Sequence, residues 1–482
     1  MNSVVRVCAG ILGLCVAIVA QAQSASAQTI LRDAEIEQFL DDYSRPIFRA
    51  AGLPADEIKI LLIGDQSFNA FAGGLVMGVN TGLLTISDTP NQIEGVIAHE
   101  AGHIAGGHSA RSDAAISAAT KPVLLSLVLA AGAIAAGAPD AGIGILGLGQ
   151  RIGLANVLKY SRGQESSADQ AAISYLTAVH HSGKGLIQSF SKLRNDQLLH
   201  SYKIDPYLQS HPLAQARVTA LKSRAESSPY FNVTDSPDEI ERLRMIQAKI
   251  KGFLQDPAST LREFPLSDQS EEAHYARAVA YYRSARIDKG LAEINTLLQA
   301  QPQNPYFYEL KGQMLFEFGR VEDSIKPHEK SVEFAPDKAL LRINLGRALA
   351  ATETTDNLQR AVMILKSAIL LERDNSFAWF ELAHAYGALN EVPMADLAMA
   401  ESNYHNGLKQ DAARFARRAL NGLKRGTPEW RQATDILVAT IDIDPATADK
   451  LGPRNSPTQT QPKKQAPQED RTVPNPPAYQ FH

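Results

Sequence analysis

The chain has 482 residues, 44% of them hydrophobic and 21% charged, enough to bury a large core and too apolar for wholesale disorder. Its 48 Lys and Arg against 52 Asp and Glu give a net charge of −4. That balance lacks the basic excess of a nucleic-acid binder, so nucleic-acid binding is excluded and an enzyme is not. At ~150 residues per domain the length suggests about three units.

Residues 1–27 carry one charge, Arg6, followed by an apolar run from Val7 to Ala20 and small residues ending Ala25-Ser26-Ala27. This pattern predicts a secretory signal cleaved after Ala27, with Ala20-Gln21-Ala22 as a competing site. The 14-residue run is short for a membrane anchor. Both cysteines, Cys8 and Cys15, lie inside it, so the mature chain, at −5 once Arg6 is removed, has none. Disulfides, thiol catalysis and cysteine-ligated metals are thereby excluded. Leu12-Gly13-Leu14-Cys15 allows a lipoprotein reading, but Leu14 stands where the cleaving enzyme wants a small residue.

Next come a helix over 31–50 and a buried strand over 57–64. A short strand or hairpin closing on glycines is expected over 68–80. From Thr89 to about Ala225 the patterns are nearly all helical. Within that span, Pro122 to Pro139 is 18 residues without a charge, and Ala141 to Gln150 adds ten more. The stretch 122–150 reads either as a buried helical hairpin or as a segment in peripheral contact with a membrane. A full span is the weaker form of the second reading, because alanine and glycine dominate.

From Glu271 the sequence repeats with a 34-residue period, in blocks 271–304 and 305–338. Pro302 and Pro336 share a repeat position, as do Ala278 and Gly312. Residues 339–375 continue the pattern with three inserted residues, and the block from Ser376 carries Trp379, Leu382, Ala383, Tyr386 and Ala395 at the same offsets. A degenerate block follows with Ala412, Ala416 and Ala419. The small residues let paired antiparallel helices approach closely. The period and its landmarks resemble the tetratricopeptide repeat, a curved solenoid with a concave binding face. From Gly452 onward seven prolines in 31 residues, with Gln, Lys and Ser, predict a disordered tail.

The chemistry begins at His99-Glu100-Ala101-Gly102-His103. On a helix, residues i and i+4 share a face, so the two imidazoles can converge on one metal with Glu100 beside them as general base. Thr89 as cap, Pro90 in the first turn and Gln92 three residues after the cap predict where that helix starts; Ile93, Val96, Ile97 and Ile104 form its apolar stripe. A third histidine at position 109 is absent: Ser109 stands there, and His108 is one step out of register. No glutamate occurs between Glu100 and Glu165, which makes Glu165 the first downstream candidate for a third ligand. Glu165 and Asp169 share a helical face, so one can ligate while the other accepts the free N–H of a ligand histidine; a solvated acidic pair is the plain alternative. His211-Pro212, with Arg217 six residues on, puts a histidine at a helix entrance. It reads either as a capping-region residue or as a group able to approach the metal, with Arg217 bracing the carboxylates.

His99-Glu100-x-x-His103, Glu165-x-x-x-Asp169 and His211-Pro212-x-x-x-x-Arg217, in that order after Phe68-Asn69-Ala70-Phe71-Ala72, resemble the prenyl-protease-like (HtpX-like) family of gluzincin metallopeptidases. With the readings above, the resemblance implies a mostly α chain: a signal peptide over 1–27, an α+β zincin-type peptidase domain over 28–265 and a repeat solenoid over 271–440; the tail over 452–482 is a departure for which the resemblance offers no role. It implies one Zn2+ per chain held by His99, His103 and Glu165. Glu100, Asp169 and His211 would serve catalysis, with His211 able to fill the open zinc position and keep the enzyme latent. Asn69, Ala70 and Phe71 would belong to an edge strand that docks an extended peptide, with Arg217 also on the substrate side. The expected activity is cleavage of unfolded or misassembled outer-membrane proteins in the periplasm, with the repeats contacting the β-barrel assembly machinery or its stalled clients. The competing class is a non-proteolytic periplasmic chaperone or scaffold, and a third is an inner-membrane peptidase held by residues 122–150.

Overall fold

The computed structural model describes residues 29–108, 161–199 and 206–441, with the single positions 126 and 129. The expected signal segment, the uncharged stretch over 122–150 and the proline-rich tail fall, but for those two positions, outside the described residues. Among the described residues no helix is long and apolar enough to cross a membrane. The chain divides into two compact units, one of residues up to 32 with 37–243, the other of 33–36 with 244 onward.

The first unit is built on a four-stranded sheet in the order β1-β2-β4-β3. β1 (Ile30–Leu31) runs antiparallel to β2 (Lys59–Ile63), which lies parallel to β4 (Val76–Asn80) in the register Lys59↔Val76 to Ile63↔Asn80. β3 (Ala70–Gly73) returns antiparallel along β4, pairing Ala70 with Val79 and Phe71 with Gly78, and forms the outer strand. The strand and hairpin expected from the sequence are thus both present. α1 (Ala34–Ala50) lies between β1 and β2 in the chain, and α2 (Thr81–Ile86) follows β4 directly. Leu62, Met77, Val79, Phe39, Leu40, Ile47, Phe48, Leu83 and Leu84 are all buried. They supply much of the apolar surface that this unit removes from water.

α3 (Pro90–Ala105) packs against β3 and against α5 (Lys184–Leu199). Of its expected stripe, Ile93, Val96 and Ile97 are fully buried and Ile104 is half-buried. The helix starts where the proline predicts, but not by the predicted cap. Thr89 makes no cap bond to the helix; its hydroxyl goes to Asp235, which also accepts from the Asn91 N–H at 3.3 Å. Gln92 reaches back to the Asp88 N–H, at 3.0 Å. A carboxylate brought from far along the chain thus serves the positive end of the helix. A helix over 161–178, here α4, is followed by α5, α6 (Pro206–Ser210) and α7 (Gln215–Glu226).

The second unit is helical. After α8 (Pro237–Leu254) and α9 (Pro257–Glu263) come five hairpins, α10–α19: Glu271–Arg283 with Ile287–Ala300, Pro305–Glu317 with Val321–Phe334, Ala339–Ala350 with Thr355–Leu371, Ser376–Ala388 with Val392–His405, and Lys409–Gly422 with Pro428–Ile441. The first helices begin at the expected block starts. The small-residue landmark is a packing requirement: a Cβ at Gly346 would stand 2.6 Å from Leu365 of its partner helix. The three inserted residues lengthen α15, the helix Thr355–Leu371, which has 17 residues where α11 and α13 have 14. The extra turn is at its N-terminal end, since Ala361, Leu365 and Ala368 take the buried places of Ser324, His328 and Ser331; Leu370 is 87% exposed, and Met363 and Leu371 are also in solvent.

Candidate metal centre

Three segments bring the predicted residues together. α3 supplies His99, Glu100 and His103; α4 supplies Glu165 and Asp169, one turn apart; the turn after α6 supplies His211. The first two helices approach closely because residue 102 is glycine: a Cβ there would lie 2.9 Å from the Ala168 Cα. His99, Glu100, Glu165, Asp169 and His211 are all buried, and His103 is nearly so.

One donor atom each of His99, His103, Glu165 and His211 lies within 4.8 Å of the others. His99 Nε2 is 3.1 Å from His103 Nε2, 3.4 Å from His211 Nδ1 and 3.4 Å from Glu165 Oε2. Glu165 Oε1 is 3.4 Å from His103 Nε2 and 3.1 Å from His211 Nδ1. Four donors around a tetrahedral zinc, at bonds of about 2.0–2.1 Å, stand about 3.3 Å apart. The donor set therefore fits such an ion in both chemistry and size.

The surrounding groups fix this arrangement. His99 Nδ1 lies 3.0 Å from Asp169. Asp169 in turn receives both the Nε–H and an Nη–H of Arg217, at 2.7 and 2.8 Å. The same guanidinium lies 2.9 Å from Glu165 and donates to the Pro212 carbonyl at 2.9 Å. Arg217, read from the sequence both as a substrate-side group and as a brace for the carboxylates, turns its donors inward to Asp169, Glu165 and the Pro212 carbonyl and is 7% exposed. Nor does Pro212 open a helix. α7 begins at Gln215, because the Pro212 carbonyl is taken by Arg217 in a turn that the His211 N–H anchors to the Tyr207 carbonyl at 2.8 Å.

Charge in the cluster is divided unevenly. Burial works against the charged form of His99, but hydrogen bonding to Asp169 and Glu165 outweighs it and lifts the ring to about 9. His103 is held down to about 3, by burial first and by the neighbouring His99 second. For Glu165, burial is overcome by hydrogen bonds from His211 and His99, and its carboxyl falls far below the usual range. Asp169 is lowered in the same way by His99 and Arg217. Glu100 is moved the other way: burial raises it, and its Oε1 is buried without a hydrogen bond, with His211 Nε2 nearest at 3.5 Å. A buried carboxyl oxygen left without a bond calls for a functional explanation, and raised basicity suits a proton acceptor.

Asn69-Ala70-Phe71 leads into and forms the outer strand, which packs on α3. Ala70 is buried, while the Phe71 ring lies over Gly78 and is 39% exposed. Sequence reasoning missed three neighbours. Tyr207 stacks on His211, with ring centroids 4.6 Å apart; Phe190 lies under His99 and the Arg217 guanidinium; His108 meets the far nitrogen of His103. The spacing Tyr207-x-x-x-His211 could have pointed to the first. Nothing local signals the second.

Comparison with known proteins agrees with this geometry. The model of peptidase family M48 matches residues 31–225, a span that contains every residue of the cluster. Over residues 31–225 the chain is similar to M48 peptidases. The chain is a metallopeptidase, and among the described residues this His/Glu cluster is the group able to hold a metal ion. The β-barrel assembly-enhancing protease of Escherichia coli (strain K12) is 25% identical over 405 residues, 83% of this chain and 81% of that one. A Vibrio cholerae protein to which the same name is given provisionally is 25% identical over 291 residues, and the match spans only 59% of its length. Among solved structures, MamA (20% identity, 34% of this chain and 92% of that one) and YrrB, a repeat protein (12%, 47% and 97%), each superpose with a TM-score of 0.27. The repeat architecture rests on the helical hairpins themselves.

Proposed function

We propose that this chain is a periplasmic zinc endopeptidase that degrades misassembled or stalled outer-membrane proteins. Its peptidase domain would span 28–265 and its repeats, over 271–440, would hold clients or the assembly machinery. The observation that carries the reading is the largely buried set of four convergent donors with the unbonded Oε1 of Glu100 beside it. Zinc would be held by His99, His103 and Glu165, with His211 completing the four donors in the resting state. A bound zinc ion supplies Lewis acidity toward the scissile carbonyl and acidifies water. Glu100 takes the proton from the attacking water and passes it to the leaving amine. Asp169, held by Arg217, keeps the His99 ring in orientation. An extended substrate laid along β3 adds backbone hydrogen bonds, which restricts cleavage to unfolded or loose segments. His211 must leave before a substrate can enter, so resting activity is low.

The similarity to β-barrel assembly-enhancing proteases supports the choice of client, and the export signal expected over residues 1–27 supports the compartment. The test is Glu100→Gln in the full chain. It should keep one zinc per chain and the wild-type fold, yet lose cleavage of an unfolded outer-membrane protein by about 10²–10⁴-fold. A variant that restores every wild-type function in cells would instead favour a chaperone or scaffold.

A further inference from the structure

His103 is the one donor of the cluster whose second ring nitrogen no carboxylate approaches among the contacts described above. Its Nδ1 lies 3.0 Å from the Nδ1 of His108, a residue 7% exposed. His108 is one step out of register to be a helical ligand, and it is not among the four converging donors. Its position is built by the end of the helix. Gly107 takes φ +60°, a left-handed conformation that glycine adopts at no cost, and this turns the chain back over the last turn of α3. Residue 106 leaves room for the returning ring, since a Cβ at Gly106 would stand 2.4 Å from His108 Nε2. The Gln164 side chain then donates to the His108 carbonyl at 3.1 Å, tying the turn to the residue that precedes Glu165.

We infer that His108 is a positioning residue for the metal site: it accepts a hydrogen bond from His103 Nδ1–H and so fixes His103 in the tautomer whose Nε2 lone pair faces the other three donors. Two facing Nδ1 atoms at 3.0 Å require that one carry the proton and the other accept it. When His103 Nε2 ligates, the proton must sit on His103 Nδ1, and His108 is the acceptor. The sequence Gly106-Gly107-His108 is thus a single device: two glycines fold a histidine onto the back of the second ligand of the helix. This inference rests on the reading of His103 as a ligand.

The test is zinc affinity, measured by chelator competition on the full chain for wild type, His108→Ala, His108→Asn and Gly106→Ala. His108→Ala should bind zinc about 10–100-fold more weakly, the usual effect of removing the partner of a ligand histidine. His108→Asn, which keeps an acceptor oxygen, should recover most of that loss. Gly106→Ala should weaken binding through displacement of the ring. Histidine 15N NMR of the zinc-loaded chain should show a proton retained on His103 Nδ1 in the wild type. Wild-type affinity in His108→Ala, no recovery in His108→Asn while the metal-free melting temperature is unchanged, or a proton absent from His103 Nδ1 would each overturn the inference. Failure of the wild type to bind zinc at all would overturn the metal-centre reading itself.

Discussion

His211→Ala should release a restraint rather than remove a catalyst. In the resting arrangement His211 Nδ1 faces the other three donors, 3.1 Å from the Glu165 carboxylate, and the ring is stacked on Tyr207 with centroids 4.6 Å apart. An aromatic pair contributes about 0.5–1.5 kcal/mol, and the seat of Nδ1 in the charged donor set is taken as comparable to a hydrogen bond to a charged group, about 1.5–3 kcal/mol. Together they hold the ring in by about 2–4.5 kcal/mol, so roughly one molecule in 30 to one in 2,000 is open at any moment. Removing the ring should therefore raise basal cleavage at least about 30-fold. The assay is the initial rate on fluorescently labelled casein, with the zinc-loaded full chain and zinc content measured in parallel. An unchanged or lower rate with zinc retained would refute the reasoning, and a large fall would make His211 part of the chemistry.

Two further outcomes follow from charges buried around the site and beside it. Arg217→Met strands the buried Asp169 and Glu165 carboxylates and should destabilise the metal-free chain by about 3–5 kcal/mol. For a unit of this size that lowers the melting temperature by about 6–20 °C, and adding Asp169→Asn should recover part of it; a drop under about 2 °C would show that the brace is not needed. His181, whose Nδ1 lies 2.5 Å from the Glu94 carboxylate, is raised above its ordinary value by that hydrogen bond. Its contribution is complete below about pH 6.5 and is lost as pH rises through the raised value. Glu94 is raised too, by burial against the pull of His181, so ionising it also costs stability as pH rises. The stability difference between wild type and His181→Gln in chemical unfolding should shrink from pH 6 to pH 9; a flat difference would contradict the assignment.

The sequence was most informative where the signal is local. The i, i+4 histidines, the proline at the helix start and the 34-residue period each depend on neighbours within a turn or one repeat, and each appears as read. Glu165 could be found because the stretch before it holds no other glutamate, and it does meet the histidines. What stayed hidden depends on the return of distant chain. Asp235 takes over a cap that Thr89 seemed placed to make, across 144 residues from Asn91. The start of α7 shifted because Arg217 claims the Pro212 carbonyl, a contact no propensity reports. His108 looked like a ligand out of phase because helical phase was assumed to continue past Ala105, where two glycines end it.

Asp235 also bears on where this enzyme could be cut. The family match stops at residue 225, yet the backbone at the head of the ligand-bearing helix is satisfied from 235, and Ser182 leans on the Phe231 carbonyl at 2.5 Å. The span that evolution has labelled is shorter than the span that must be synthesised together. A fragment trimmed to the recognisable part would keep all four converging donors and lose a clasp on the element that aims two of them.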